Sequence, residues 1–188
     1  LEPVKLQYKD FANWQVNELQ GELLDEQMDY WLDNLHDLPP VHNLPLDRPR
    51  PATQSYIGKV YKGQIDPQST SALKTLYRNH NSSLFTLLQT AFAVLLNRVS
   101  SETDIVIGTP VSNRVDANLN HTLGLFLNTL ILRSDIDPQR TFTEQLVSNT
   151  DLVLSAYENQ DVPFETLVEK LQATRSLAYS PLFQIHFQ

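Results

Sequence analysis

Apolar positions along the chain change period several times, and each change marks an element. Tyr8, Phe11, Ala12, Gln15 and Leu19 follow i, i+3, i+4 spacing, which predicts a helix with one inward face. Gly21 breaks it, and a second helix follows through Leu23, Leu24, Met28, Trp31 and Leu35. Trp14 and Trp31 are expected in the core. Residues 37–51, DLPPVHNLPLDRPRP, cannot hold regular structure. Pro39, Pro40, Pro45, Pro49 and Pro51 each remove an N–H donor and fix φ. This stretch reads as an extended tether laid over a surface, with Asp47, Arg48 and Arg50 as candidate pins.

Residues 55–65, SYIGKVYKGQI, have the β-branched and aromatic content of a strand. A short helix is expected over 69–79, with Leu73, Leu76 and Tyr77 on one face. Ser82 or Ser83 can cap the next helix, 84–99. That helix is apolar nearly all round, which predicts burial between layers. Two strands follow. The first, 104–107, is stopped by Gly108 and Pro110; the second, 123–133, lies beyond a polar loop. Alternation puts Phe126, Asn128, Leu130 and Leu132 on one face of the second. Leu125, Leu127, Thr129, Ile131 and Arg133 share the other.

Thr141-Phe-Thr-Glu144 is a capping box, opening a helix through Leu146, Val147, Val153, Leu154 and Tyr157. Pro163 suits the first position of a further helix, with Phe164, Leu167, Val168 and Leu171 inward. Residues 181–188 alternate as a last strand. This order predicts an α/β fold, helices packed on a mixed β-sheet, in a single unit. The expected parts are N-terminal helices over 1–36, the tether over 37–54 and an α/β sandwich over 55–188.

Composition narrows the function. A length of 188 residues suits one domain or one lobe of a larger one. The absence of Cys removes disulfides, thiol catalysis and Cys-ligated metals, and fits a reducing, cytoplasmic compartment. A net charge of −8 without a basic stripe argues against nucleic acid as a partner. No apolar run approaches the ~20 residues that span a bilayer, so no membrane partner is expected. The opening LEPVKLQYKDF has neither the basic nor the apolar region of a signal peptide. It also lacks an initiator Met, and the last strand pattern is still running at Gln188, so the chain reads as an excised piece.

Candidate chemistry is sparse. His36, His42, His80, His121 and His186 form no i, i+4 pair and have no Glu at zinc spacing, so no metal site is expected. There is no nucleophile elbow, P-loop or dinucleotide fingerprint. Three places ask for explanation. Asn128 is an amide in an apolar strand, which is costly without partners. Residues 159–165, NQDVPFE, make a dense polar turn whose Asp161 can cap a helix start. Residues 108–114, GTPVSNR, form a strand-end loop of the kind that lines sites in α/β proteins. Alone, none names a reaction.

Together they resemble one family. GTPVSNR (108–114), LGLFLNTLILR (123–133) and NQDVPFE (159–165) look like successive core motifs of the condensation domains of nonribosomal peptide synthetases. YKDFANW (8–14), LPLDRPRP (44–51) and SPLFQIHF (180–187) fit the same series in order. The resemblance covers essentially the whole chain. It implies a fold like chloramphenicol acetyltransferase, in which two lobes flank a tunnel. A donor thioester and an acceptor amine enter that tunnel on the phosphopantetheine arms of carrier domains and are joined by an amide bond.

The family's catalytic signature, His-His-x-x-x-Asp-Gly, is absent from these residues. By the family's order it belongs upstream of Tyr8. The resemblance therefore implies a C-terminal lobe with no catalytic residue of its own, and an isolated piece that is inactive. The missing N-terminal lobe, peptidyl or acyl carrier domains and an adjacent adenylation domain would be its partners. No cofactor would be bound directly. Carried over by residue, Asn128 would face the tunnel, orienting the acceptor or binding an oxyanion, or else hold the strand as a structural amide. Phe126 and Leu130 would line the same wall, and Thr109, Ser112, Asn113 and Arg114 the tunnel floor. Asp161 and Pro163 would be structural, and Arg133 would pair across the lobe. An epimerization domain and a non-catalytic docking module for a carrier or neighbouring domain remain alternatives.

Overall fold

The computed structural model describes residues 5–114 and 116–188. Its first helices, α1 (Tyr8–Glu18) and α2 (Glu22–Asn34), fall where the periodicity puts them. They part at Gly21, whose φ of 67° lies in the left-handed region that glycine adopts without a Cβ penalty. Trp31 is fully buried, but Trp14 is exposed. α1 is a surface helix that buries only Phe11, against which Trp14 leans.

Between Leu35 and Asp66 there is neither helix nor strand. The tether is held by Gln184, whose Oε1 accepts from the N–H of His42 at 3.0 Å and whose Nε2 donates to the Pro40 carbonyl at 3.1 Å. Arg50 reaches the His42 ring at 2.7 Å, while Asp47 and Arg48 are exposed and form no hydrogen bond or ion pair among the described residues. The strand expected over 55–65 does not form. Among the described residues no backbone pairs with the segment, and Tyr56, Ile57, Val60 and Tyr61 are exposed.

α3 (Pro67–Asn79) starts earlier than the periodicity suggests. Asp66 caps it, accepting from the N–H of Ser69 at 2.8 Å, and Pro67 takes the first helical position. Ser83 caps α4 (Leu84–Ser100). This helix is not buried on all sides: Thr86, Gln89, Thr90 and Asn97 point inward, while Leu84, Leu95 and Val99 are exposed.

The sheet is short. β1 (Asp104–Val111) pairs antiparallel with β2 (Asn128–Asp135), from Asp104 opposite Asp135 to Val111 opposite Asn128. β1 thus runs through Gly108 and Pro110. A Cβ at Gly108 would lie 2.3 Å from the Phe183 ring, so glycine here admits an aromatic and does not end the strand. The expected strand over 123–133 pairs only from Asn128, where its partner strand stops. The described sheet is two antiparallel strands, and the closing strand is reduced to one isolated parallel bridge beside β1, Gly108 to His186. A 3-10 turn, Ala117–His121, sits in the loop between β1 and β2.

α5 (Phe142–Glu158) opens on the capping box, in which the Thr141 N–H donates to Glu144 Oε2 at 2.8 Å. α6 is Phe164–Lys170. Helices cover both faces of the sheet. Ser134, on the face of Leu130 and Leu132, meets Gln89 of α4. Arg133, on the opposite face, meets the end of α2. Leu130, Ile131 and Leu132 are accordingly all buried. Among the described residues, no single helix is long and apolar enough to cross a membrane.

Candidate functional site

Four of the motif segments, 8–14, 108–114, 123–133 and 159–165, meet at residues 124–129 at the entry to β2. Phe126 is the centre. Its ring meets Tyr8 edge-on, with centroids 5.2 Å apart, and Phe11 at 4.8 Å. The Arg114 guanidinium lies 4.1 Å above its centroid, a cation–π geometry. Arg114 also donates to the Leu119 carbonyl. Gly124 is required by contact: a Cβ there would stand 2.3 Å from the Tyr8 ring. The Thr122 hydroxyl donates to the Leu6 carbonyl at 2.6 Å. So α1, the strand-end loop and the β2 entry form one aromatic and cationic knot.

Asn128 forms the second half of the junction. Its Nδ2 donates to the carbonyls of Gln160 and Val162, both at 2.8 Å. Its Oδ1 accepts from the N–H of Thr129 at 2.9 Å and of Phe164 at 3.1 Å. α6 has Pro163 at its cap position and no cap from its own residues, so Asn128 supplies that acceptor from across the fold. The turn is held from its other side by α2. Gln27 Nε2 donates to Asp161 Oδ2, and the Asp161 N–H donates to Gln27 Oε1, both at 3.1 Å. Trp31 Nε1 donates to the Asn159 carbonyl at 2.7 Å. Asp161 therefore ties the turn to α2 instead of capping a helix.

Arg133 grips two elements. It forks onto Asp104 with Nε at 3.0 Å and Nη2 at 2.9 Å, and its Nη1 donates to the carbonyls of Asn34 and His36. A cation on the last carbonyls of α2 satisfies groups that the helix cannot.

The residues expected to line a tunnel are placed as follows. Asn128 has both amide protons and both acceptor directions engaged on backbone, the bonding expected of a structural amide. Phe126, Leu130 and Thr109 are buried among the described residues. Asn113 is buried with φ of 47°, and its Oδ1 meets no partner among the described residues. Ser112 is exposed and Arg114 half-buried. The open face at this entry belongs instead to Leu123, Leu125 and Leu127, an outward apolar ridge. Alternation separated the two faces but could not rank them, because both are apolar.

Elsewhere, a cavity of about 160 Å³ under the tether is lined by His42, Leu44, Leu96, Glu102 and Ile105 among others, and none of the converging residues borders it. Burial, and then the Arg50 charge, pull the His42 imidazole below its usual pKa. Among the described residues, no three His, Asp or Glu side chains gather as a metal site.

The condensation domain family model matches residues 1–188, and the chain belongs to that family. One polypeptide of the linear gramicidin synthase of Brevibacillus parabrevis is 43% identical over 187 residues, 100% of this chain and 2% of that protein. The X-domain from teicoplanin biosynthesis superposes with a TM-score of 0.92 at 30% identity, over 100% of this chain and 43% of that one. A four-domain nonribosomal peptide synthetase bound to AMP and glycine gives a TM-score of 0.84 at 32% identity, over 87% of this chain and 12% of that one. The fold is thus the chloramphenicol-acetyltransferase-like α/β architecture. The chain spans a small fraction of the curated relative and under half of the X-domain structure.

Proposed function

We propose that these 188 residues are the C-terminal lobe of a condensation domain within a larger, cytoplasmic nonribosomal peptide synthetase. The supporting observation is the convergence of four of the motif segments on one junction, with Phe126 and Asn128 as its two fixed points. In this reading a donor aminoacyl or peptidyl thioester and an acceptor amine arrive on the phosphopantetheine arms of carrier domains. The amine attacks the thioester carbonyl and a C–N bond forms. The C–S bond then breaks, and the departing thiolate takes up the proton lost by the amine. The histidine that assists the amine comes from the other lobe, because no His-His pair occurs in this chain. An adenylation domain would load the acceptor.

The lobe's contribution is shape. The knot around Phe126 fixes the strand-end loop, leaving Ser112 and the ridge of Leu123, Leu125 and Leu127 as the surface offered to the tunnel and to the other lobe. Asn128 acts as a positioning residue for the turn behind that surface. The complete domain, given loaded carriers, should yield the amide product, and the 188-residue chain alone should yield none. Turnover by the isolated chain would overturn the division of labour.

The native polypeptide recognised by an immunoblot against this segment should be many times larger than 21.5 kDa. A band at 21.5 kDa would favour a non-catalytic docking module.

A further inference from the structure

Asn128 and Ser134 stand at the two ends of one face of β2, with Leu130 and Leu132 between them. Both are buried, and both ends of the strand are tied to the helical layer. At the Asn128 end the ties run to the carbonyls of Gln160 and Val162, just beyond the end of α5. At the other end the Asp135 carbonyl accepts from Gln145 Nε2 at 2.9 Å, in the first turn of α5. α5 therefore runs back along β2 and is held to it at both ends. The two lengths agree. Asn128 to Asp135 spans about 23 Å at a strand's rise, and Gln145 to Gln160 about 22 Å at a helix's rise.

Between the ties the contact is apolar. Val153 and Ala156 of α5 share a core cluster with Leu130 and Leu132. An apolar surface of this kind repacks at low cost, so it does not fix how far the helix lies along the strand. A slip of one turn, about 5.4 Å, would carry the Gln160 and Val162 carbonyls out of reach of Asn128. Directional contacts oppose that slip. Asn149 of α5 donates through Nδ2 to Gln89 Oε1 at 3.1 Å and to Thr90 Oγ1 at 3.2 Å, both on α4. Gln89 Nε2 donates to Ser134 Oγ at 3.2 Å. Gln145 Nε2 also reaches Asn149 Oδ1, at 3.4 Å, beside its tie to β2. All of these side chains are buried. Stability alone does not account for them. Gln145 Oε1 is buried without a partner among the described residues, and the amide cannot be turned over, because Nε2 faces a carbonyl. Apolar side chains of the same volume would leave no such orphan.

We infer that Gln89, Ser134, Gln145 and Asn149 form a register key for α5, which sets where the turn over 159–165 meets Asn128. Polar side chains in a core do this where apolar helices have competing packings. The key acts from a distance. Gln145 and Asn149 make no hydrogen bond to the turn or to Asn128 among the described residues, and reach them through the length of α5. The inference goes beyond the proposed function and does not depend on it.

The test uses the complete domain. Gln89→Leu/Gln145→Leu/Asn149→Ala replaces the polar set by an apolar one, and hydrogen exchange is followed by mass spectrometry beside urea unfolding. Exchange in peptides covering 159–165 should quicken at least about tenfold, because the turn then opens locally. Exchange in β1 should stay at the parent's rate. An unchanged turn overturns the inference. Exchange faster in β1 and the turn alike, with a lowered urea midpoint, also overturns it, since the network then only adds stability. If the triple variant does not fold, Gln145→Leu alone is read by the same outcomes: selective quickening of the turn supports the key, and no change or a uniform change overturns it.

Discussion

Asn128 Oδ1 accepts the backbone N–H of Phe164 at 3.1 Å, so a residue at the start of β2 caps a helix 36 residues further on. The same side chain donates to the carbonyls of Gln160 and Val162. An amide in an apolar strand is thereby fully satisfied, and the strand entry and the turn become one rigid piece.

Removal of this amide should unfold rather than inactivate. Asn128→Ala orphans two N–H groups and two carbonyls, and should cost about 2–4 kcal/mol in thermal or denaturant unfolding of the complete domain. Slowed amide formation with unchanged stability would instead restore a direct role toward substrate.

Gly124→Ala should drive α1 off the β2 entry, because the new Cβ would meet Tyr8 at the root of its ring, 2.7 Å from Cγ. A loss of about 1–3 kcal/mol is expected from overpacking. The double variant Tyr8→Ala/Gly124→Ala should lose less than the sum of the two single variants. Strict additivity in unfolding measurements would show that the contact is not made.

Arg133→Lys keeps the charge but not the fork. The guanidinium serves Asp104 through Nε and Nη2 and two carbonyls of the α2 end through Nη1. An ammonium cannot span that set, so the substitution should cost about 1–3 kcal/mol despite its conservatism. Equilibrium unfolding in urea reads the difference. A change below experimental error would mean that Asp104 and α2 hold without it.

The tether should loosen in mild acid. Burial and the Arg50 charge lower the His42 pKa, so the folded state favours the neutral ring. The stabilisation is complete above the unfolded value near 6.5 and is lost as pH falls from there through the folded value. Protease cleavage within 37–54 should therefore quicken below about pH 6, and His42→Gln should flatten that dependence. A pH-independent cleavage rate in the parent protein would rule it out.

Much of the local structure was legible because its causes are local. Gly21 parts two helices through its own backbone freedom. The Thr141–Glu144 box opens α5 through two residues three apart. Trp31 and Trp14 show the limit of this: both lie on helical faces, but Trp31 is buried with its indole N–H on the Asn159 carbonyl, whereas Trp14 leans on Phe11 and stays exposed. Residues 55–65 carry strand composition without a strand, since pairing needs a neighbour that composition cannot supply.

The same division holds at the junction. From the sequence alone follow the family motifs, the two apolar strand runs and the oddity of one Asn among them, because residue types, spacing and period are properties of the chain. Which face of 123–128 is open was decided by the tertiary structure. Phe126 and Leu125 are equally apolar, and only the arrival of Tyr8, Phe11 and Arg114 buries one and leaves the other outside. The partners of Asn128 were decided there too. They are backbone groups of a turn more than thirty residues away, brought within hydrogen-bond reach by the packing of α2 and α5.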